Sequence, residues 1–104
     1  MERYLIFKAI HPDGAFFYGL TSKNLDDAIN EYRLCYYGSG GHTSVTALSR
    51  YAIATKVNPL DWEYETIVEM PDLFNALEFK RSLIRTHPEC LNIKLRGGKN
   101  NGNC

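Results

Sequence analysis

The sequence lacks an excess of charge of either sign, a long apolar run and an even set of cysteines. Twelve Lys and Arg residues balance twelve Asp and Glu residues in a chain of 104, so the chain as a whole is not expected to bind polyanions indiscriminately. No apolar segment reaches the roughly 20 residues needed to span a bilayer, and no charged-then-apolar leader opens the sequence. We therefore expect a cytoplasmic protein with no membrane partner.

The pattern of cysteines and glycines excludes several common sites. Cys35, Cys90 and Cys104 are odd in number, far apart and never spaced as Cys-x-x-Cys, which favours reduced thiols over a disulfide or a zinc site. The stretch Gly38-Ser39-Gly40-Gly41 lacks the Gly-Lys-Ser/Thr of a phosphate-binding loop. No His-Glu-x-x-His motif is present either.

Turn signals and apolar periodicity divide the chain into short elements. Two strand-forming runs around the turn His11-Pro12-Asp13-Gly14 predict a β-hairpin, and apolar residues at i, i+3, i+4 and i+7 predict helices. The predicted strands cover residues 3–10, 15–20 and 62–70, the predicted helices about 25–34, 43–54 and 72–86, and a short edge strand 91–95.

The order β-β-α-α-β-α predicts the fold class. We expect an α+β fold in which a small antiparallel or mixed sheet of three or four strands is flanked by three helices. A chain of this length forms one domain, which we place over residues 1–96. The polar segment 97–104 is expected to be a disordered tail.

The third predicted helix carries a charged residue in its apolar stripe. The stripe consists of Leu73, Ala76, Leu77, Lys80, Leu83 and Ile84. Burying an unpaired ammonium is costly, so Lys80 requires an acidic neighbour, a water-filled cleft or a bound anion. The alternative is that its long side chain carries the charge out to solvent, and the sequence leaves both open.

Positive charge is concentrated from residue 80 onward. Six cations, Lys80, Arg81, Arg85, Lys94, Arg96 and Lys99, accompany one acid there, Glu89. The segment is a candidate surface for phosphate groups, although a mixed, solvated surface has the same composition. Tyr36 and Tyr37, beside the glycine-rich stretch, are candidates for stacking on bases, with packing at a helix end as the alternative.

Several short strings occur in the order and spacing of a known family. They are Tyr4-Leu5-Ile6-Phe7-Lys8, Phe17-Tyr18-Gly19, Asn24-Leu25-Asp26-Asp27, Tyr36-Tyr37-Gly38-Ser39-Gly40, and Leu91-Asn92-Ile93-Lys94 followed by Gly97-Gly98. From about Tyr4 to Gly98 the chain resembles the GIY-YIG nuclease family, in particular its small phage-type homing endonucleases. Segment 53–61 is longer here than in the family.

The resemblance implies a metal-dependent phosphodiesterase that uses Mg²⁺ or Mn²⁺. In that family two hairpin tyrosines activate or position water, a helical arginine stabilises phosphate charge, a histidine assists proton transfer, and a glutamate on the third helix holds the metal. The tyrosine, arginine and glutamate positions hold Phe7, Phe17, Ala28 and Lys80 here. Phenylalanine has no hydroxyl and alanine no charge, while a protonated lysine repels a divalent cation.

Other residues could rebuild a cutting site. His42 lies where some family members place their histidine, and Asn92 matches the family's late asparagine. These two are the catalytic residues expected if the chain cuts, with Tyr4 or Arg33 as further candidates. Neutral histidine suits proton transfer because its unperturbed pKa is near 6.5.

Three functions are therefore possible. We favour a catalytically inactive phage protein that binds nucleic acid, either DNA or RNA, or an acidic partner without cleaving it. Its expected binding residues are Lys80, Arg81, Arg85, Lys94, Arg96, Tyr36 and Tyr37, with no cofactor and no metal site. The alternatives are an active endonuclease with a rearranged site and an inhibitor of a host protein. A phage origin would place the protein in the host cytoplasm.

Overall fold

The computed structural model describes residues 3–37 and 46–94, without the side chains of Cys35 and Tyr37. Its elements are β1 (Tyr4–Ile10), β2 (Phe16–Thr21), α1 (Leu25–Tyr37), α2 (Ala47–Thr55), a 3₁₀ turn (Pro59–Asp61), β3 (Glu63–Met70), α3 (Leu73–Thr86) and α4 (Leu91–Lys94). The strands form an antiparallel sheet in the order β2-β1-β3. The predicted α+β fold and element order are confirmed.

The turn between β1 and β2 is held by its own polar groups. Gly14 takes the left-handed conformation, with a φ of 98°, which glycine adopts without a steric penalty. The Asp13 carboxylate accepts the Ala15 N–H at 2.8 Å, and His11 Nδ1 accepts the Asp13 N–H at 3.0 Å. The hairpin predicted from the His-Pro-Asp-Gly signal is confirmed.

β1 lies in the middle of the sheet, and helices pack on both faces. Alternation sends Phe7 and Ala9 to one face and Ile6 and Lys8 to the other. On the first, which we call the α1/α2 face, the main core consists of Phe7, Ala9, Phe17, Ala47, Leu48, Ala52, Trp62 and Leu91. On the second, the α3 face, α3 packs across all three strands, and its residue Ala76 is fully buried.

Close packing between β1 and β2 requires a glycine at one position. Gly19 lies directly opposite Phe7 in the register of the hairpin, and a Cβ atom there would overlap the Phe7 ring. The ring is fully buried, and a close-packed interior leaves it little room to move aside. Gly19 therefore allows the aromatic ring to lie across the neighbouring strand.

Capping residues explain where α2 and α3 begin. The Thr46 hydroxyl accepts the Ser49 N–H, and the Asp72 carboxylate accepts the Asn75 N–H, which is the usual role of such residues at helix starts. The sequence predicts that the third helix starts at Pro71-Asp72, and the helix begins at Leu73 with Asp72 as its cap. α2 ends at Lys56, which has a left-handed φ of 60°.

Residues 91–94 form a helix, so the predicted edge strand is wrong. The Ile93 and Lys94 N–H groups both bond to the Cys90 carbonyl, at 3.1 Å each. Leu91 and Asn92 are both buried, whereas an edge strand would alternate buried and exposed residues. Tertiary burial therefore decides the conformation of this short segment.

Tyr36 and Tyr37 belong to α1, so a glycine-rich turn starting at Tyr36 is wrong for these two residues, and residues 38–41 lie outside the described residues. α1 continues through Tyr37, because Tyr32 and Tyr36, one turn apart, both pack against the main core. The predicted helix residues 43–45 and the tail 97–104 lie outside the described residues. In the described ranges, no helix has both the length and the apolarity that crossing a bilayer requires.

Candidate nucleic-acid interface

The phenylalanines at the two expected tyrosine positions belong to the main core. Phe7 and Phe17 are 0% and 2% exposed, and their rings lie with centroids 6.2 and 6.3 Å from the Tyr32 ring. Ala28 is buried on α1. None of the three carries a hydroxyl or a charge, so these positions supply neither a proton acceptor nor a cation for a phosphate.

Lys80 lies on the other side of the sheet from these positions. It belongs to α3, which covers the α3 face, whereas Phe7 and Phe17 pack on the α1/α2 face. Its side chain is partly buried. Because an ammonium cannot ligate a divalent cation, the residue present here does not fit the metal that the resemblance implies.

The Asn92 side chain binds to β2, at the edge of the sheet. Its Oδ1 accepts the Tyr18 N–H at 2.8 Å, and its Nδ2 donates to the Tyr18 carbonyl at 2.9 Å. The amide therefore bonds to β2 as a neighbouring strand would. Because both ends of the amide bind backbone and the side chain is buried, Asn92 has a structural role in holding α4 against β2.

The predicted binding residues are dispersed. Arg81 forms an ion pair with Glu78 at 2.9 Å, while Arg85 and Lys94 are exposed near the ends of α3 and α4. Tyr36 packs partly buried against the main core, which leaves little of its ring for stacking on a base.

Three of the predicted site residues cannot be placed. His42 and Arg96 lie outside the described residues, as does the side chain of Tyr37. Of the further candidates for a cutting site, Arg33 donates to the Asn30 side chain at 2.7 Å.

Four residues that were not predicted as site residues form a cationic and aromatic group on the α3 face. We call Lys8, Phe16, Tyr18 and His87 the Lys8 cluster. Lys8 Nζ lies 4.6 Å from the centroid of the Phe16 ring. The Phe16 and Tyr18 rings lie 5.7 Å apart, and His87, at the end of α3, lies 6.2 Å from Phe16 and 5.7 Å from Tyr18.

The Lys8 cluster contains two hydrogen-bond donors that the fold does not use. Tyr18 is 3% exposed, yet its hydroxyl makes no hydrogen bond within residues 3–37 and 46–94. Lys8 lies opposite Tyr18 and Glu65 in register, but in the same ranges no carboxylate oxygen comes within 4.0 Å of its ammonium. Buried hydroxyls are usually bonded, so the Tyr18 hydroxyl is an exception within the described residues.

Burial keeps the Tyr18 hydroxyl protonated. It raises the pKa of Tyr18 above its ordinary value, and the Cys90 thiol and the Glu89 and Glu65 carboxylates act in the same direction. The hydroxyl therefore remains a donor at neutral pH. The Lys8 ammonium in the same cluster is a donor that can form a charge-assisted bond to an anionic oxygen.

A second polar group, around His11, is structural. His11 Nε2 lies 2.9 Å from Thr55 Oγ1, and His11 Nδ1 lies 3.0 Å from Asp13 Oδ1, which has the outline of a nucleophile-base-acid arrangement. The Thr55 hydroxyl, however, donates to the Tyr51 carbonyl at 2.8 Å, so its oxygen isn't activated for attack. The group joins the hairpin turn to α2.

Other reactive groups do not assemble into a site. Burial raises the pKa of the Cys90 thiol, and this residue is fully buried, so it has the character of an inert core cysteine. Among the residues described, no three His, Cys, Asp or Glu side chains are grouped so that they could hold a metal ion.

We find no match to this chain among protein-family models, curated proteins or solved structures. The resemblance to the GIY-YIG family stays a prediction.

Proposed function

We propose that this chain is a domain that binds single-stranded nucleic acid without cleaving it, and that the Lys8 cluster is its contact site. The observation that carries the proposal is the Lys8 ammonium lying 4.6 Å from the Phe16 ring, which in turn lies 5.7 Å from the Tyr18 ring. A cation next to aromatic rings is the arrangement by which proteins bind a phosphate and stack on the adjoining base.

The neighbouring charges support this site. Arg85 and Lys94 are exposed on α3 and α4, which both contact β2, and Lys80 lies in the middle of α3. These cations could follow a nucleic-acid backbone that leaves the Lys8 cluster. The zero net charge of the chain argues against strong binding to duplex DNA through phosphates alone.

The absence of cleavage is supported by the side chains at the expected catalytic positions. Phe7, Phe17 and Ala28 carry no reactive group, and Lys80 cannot hold a divalent cation. Loss of one electrostatic stabiliser of a transition state commonly lowers a rate by about 10²- to 10³-fold, so several losses together should leave little activity.

Fluorescence anisotropy with a labelled single strand of DNA or RNA tests the binding. We expect a single strand to bind more tightly than its duplex, and Phe16→Leu to weaken binding about tenfold, because base stacking contributes roughly 1–3 kcal/mol per base. Phe74→Leu is the matched control, since Phe74 is an exposed aromatic residue on α3. Equal losses from the two variants, or preference for duplex, would contradict the proposal.

One observation favours an active endonuclease as a second candidate. Tyr18 brings a hydroxyl to the α3 face, and alternation along β1 places Tyr4 on that face too, so hydroxyls and Lys80 share one side of the sheet. Supercoiled plasmid incubated with Mg²⁺ or Mn²⁺ separates the two candidates. Metal-dependent nicking that is lost in His42→Ala would establish the nuclease, whereas an intact plasmid supports binding without cleavage.

A further inference from the structure

The two edges of the sheet differ in how far other described residues cover them. At the β2 edge, Asn92 bonds to both backbone groups of Tyr18 and α4 packs alongside. At the β3 edge, no strand of the described residues pairs with the outer side of Glu63–Met70. Their outward-facing N–H and carbonyl groups form no hydrogen bonds with those residues. Among residues 3–37 and 46–94, β3 is therefore an open edge of eight residues.

The side chains along this open edge are mostly exposed and acidic. Glu63, Glu65 and Glu69 are all exposed, and Asp61 precedes them. Glu69 pairs with Arg3 at 3.1 Å, while no Lys or Arg of the described residues lies within 4.0 Å of Glu63 or Glu65. The edge thus presents unneutralised carboxylates beside unpaired backbone groups.

Exposed apolar side chains accompany the acidic edge. Ile67, the extra residue at the bulge of β3, is 36% exposed. Leu73 and Phe74, which begin α3 directly after the strand, are 43% and 67% exposed. Charged side chains alone can protect an edge strand from pairing. Protection of the edge therefore does not explain why Leu73 and Phe74 are exposed beside it. Aromatic residues are enriched in the centres of protein interfaces.

We propose that the β3 edge binds an extended segment of a partner protein that is rich in lysine or arginine, by adding it to the sheet as a fourth strand. Strand addition gives affinity through the backbone and specificity through alternate side chains. The carboxylates select cations in the partner, and Leu73 and Phe74 provide an apolar contact. A second copy of this chain is disfavoured, because edge-to-edge pairing would place glutamates close to glutamates.

A fluorescent peptide of alternating lysine and valine provides the probe. We expect it to bind the full chain, and the double variant Glu63→Gln, Glu65→Gln to bind it at least tenfold more weakly. Asp26→Asn with Asp27→Asn removes the same charge from α1 and should leave the affinity within about twofold, since neither residue belongs to β3. No binding, or equal losses from both double variants, would overturn the proposal.

Backbone methylation distinguishes strand addition from simple charge attraction. Only alternate N–H groups of an added strand point toward the sheet. Methylating the peptide nitrogens that face the sheet should abolish binding, while methylating the nitrogens that face away should leave binding intact. Equal effects of the two sets would overturn the proposal, as would self-association of the natural chain that competes with the peptide for this edge. Glu65 lies opposite Lys8 in the register of the sheet, but removing carboxylates does not weaken an anion-binding site. Single-stranded nucleic acid should therefore still bind the double variant, and the two proposals can be tested separately.

Discussion

Gly19 is the residue at which the hairpin tolerates a change least. Gly19→Ala would place a methyl group against the buried Phe7 ring, and overpacking of this kind costs about 1–3 kcal/mol. We expect that loss in the free energy of unfolding measured with urea. In a Phe7→Leu background the loss should be smaller, because leucine is smaller than phenylalanine and leaves room for the methyl group added at position 19. An equal loss in both backgrounds would contradict the assigned contact.

Asp13 gives the fold a dependence on acid pH. The Tyr51 hydroxyl, 2.6 Å from Asp13 Oδ2, and the Ala15 N–H hold the pKa of Asp13 below its ordinary value. A carboxylate with a lowered folded pKa stabilises the fold above the unfolded value of about 3.9, and the stabilisation is lost as pH falls through the folded value.

Tyr51→Phe measures this effect. The difference in the free energy of unfolding between the variant and the natural chain should be constant from about pH 7 to 5 and shrink below about pH 4. In an Asp13→Asn background the difference should not change over this acid range. Urea titrations at each pH provide the measurement, and a difference that persists unchanged at about pH 2.5 would contradict the assignment.

At the scale of the elements, the end of α2 stores strain in its backbone. Lys56 has a φ of 60°, a left-handed conformation that costs an L-residue roughly 1–2 kcal/mol. Lys56→Gly should therefore raise the free energy of unfolding by about 0.5–1 kcal/mol, after the entropy that glycine gains in the unfolded chain. Lys56→Ala, which removes the same charge and keeps the strain, should not stabilise the chain. Equal results for the two variants would contradict this.

The docking of α4 depends on the amide of Asn92. Asn92→Ala removes its two bonds to the Tyr18 backbone, and each buried polar group left unsatisfied costs about 1–3 kcal/mol. We expect at least about 2 kcal/mol of lost stability and faster hydrogen exchange at the Tyr18 amide. Asn92→Asp keeps the acceptor and should protect that amide better than alanine does. Unchanged exchange in Asn92→Ala would contradict the role.

Elements whose formation depends on local pattern could be predicted from the sequence. The hairpin follows from His11-Pro12-Asp13-Gly14 between two runs of strand formers, and the start of α3 follows from Asp72. α4 could not be predicted, because its four residues are too few to show a period and their burial depends on β2, more than 70 residues earlier in the chain.

At the scale of the whole molecule, the sheet divides the residues expected to form one site. Phe7 and Phe17 pack together in the main core, and periodicity could not show that α3, with Lys80, would cover the opposite face of the sheet. Lys8 and Tyr18 could have been paired from the hairpin register, since they lie directly opposite each other. His87 could not be added, because its position depends on the path of α3.

The distribution of charge also belongs to this scale. A net charge of zero conceals a cationic and aromatic group on the α3 face and an acidic open edge at β3. Surfaces of opposite sign predict partners of opposite sign. The nucleic acid is proposed to bind the Lys8 cluster and the basic segment the neighbouring β3 edge, where Glu65 lies opposite Lys8.

The affinity of the chain for a labelled single strand, measured at several salt concentrations, tests the central claim most directly. Each phosphate contact contributes about −0.7 to the slope of log affinity against log salt for single strands, so Lys8→Ala should weaken binding and make the slope shallower by about that amount. Lys23→Ala, an exposed lysine beside α1, should leave the slope unchanged. A Lys8→Ala variant that binds with the affinity and slope of the natural chain would contradict the account.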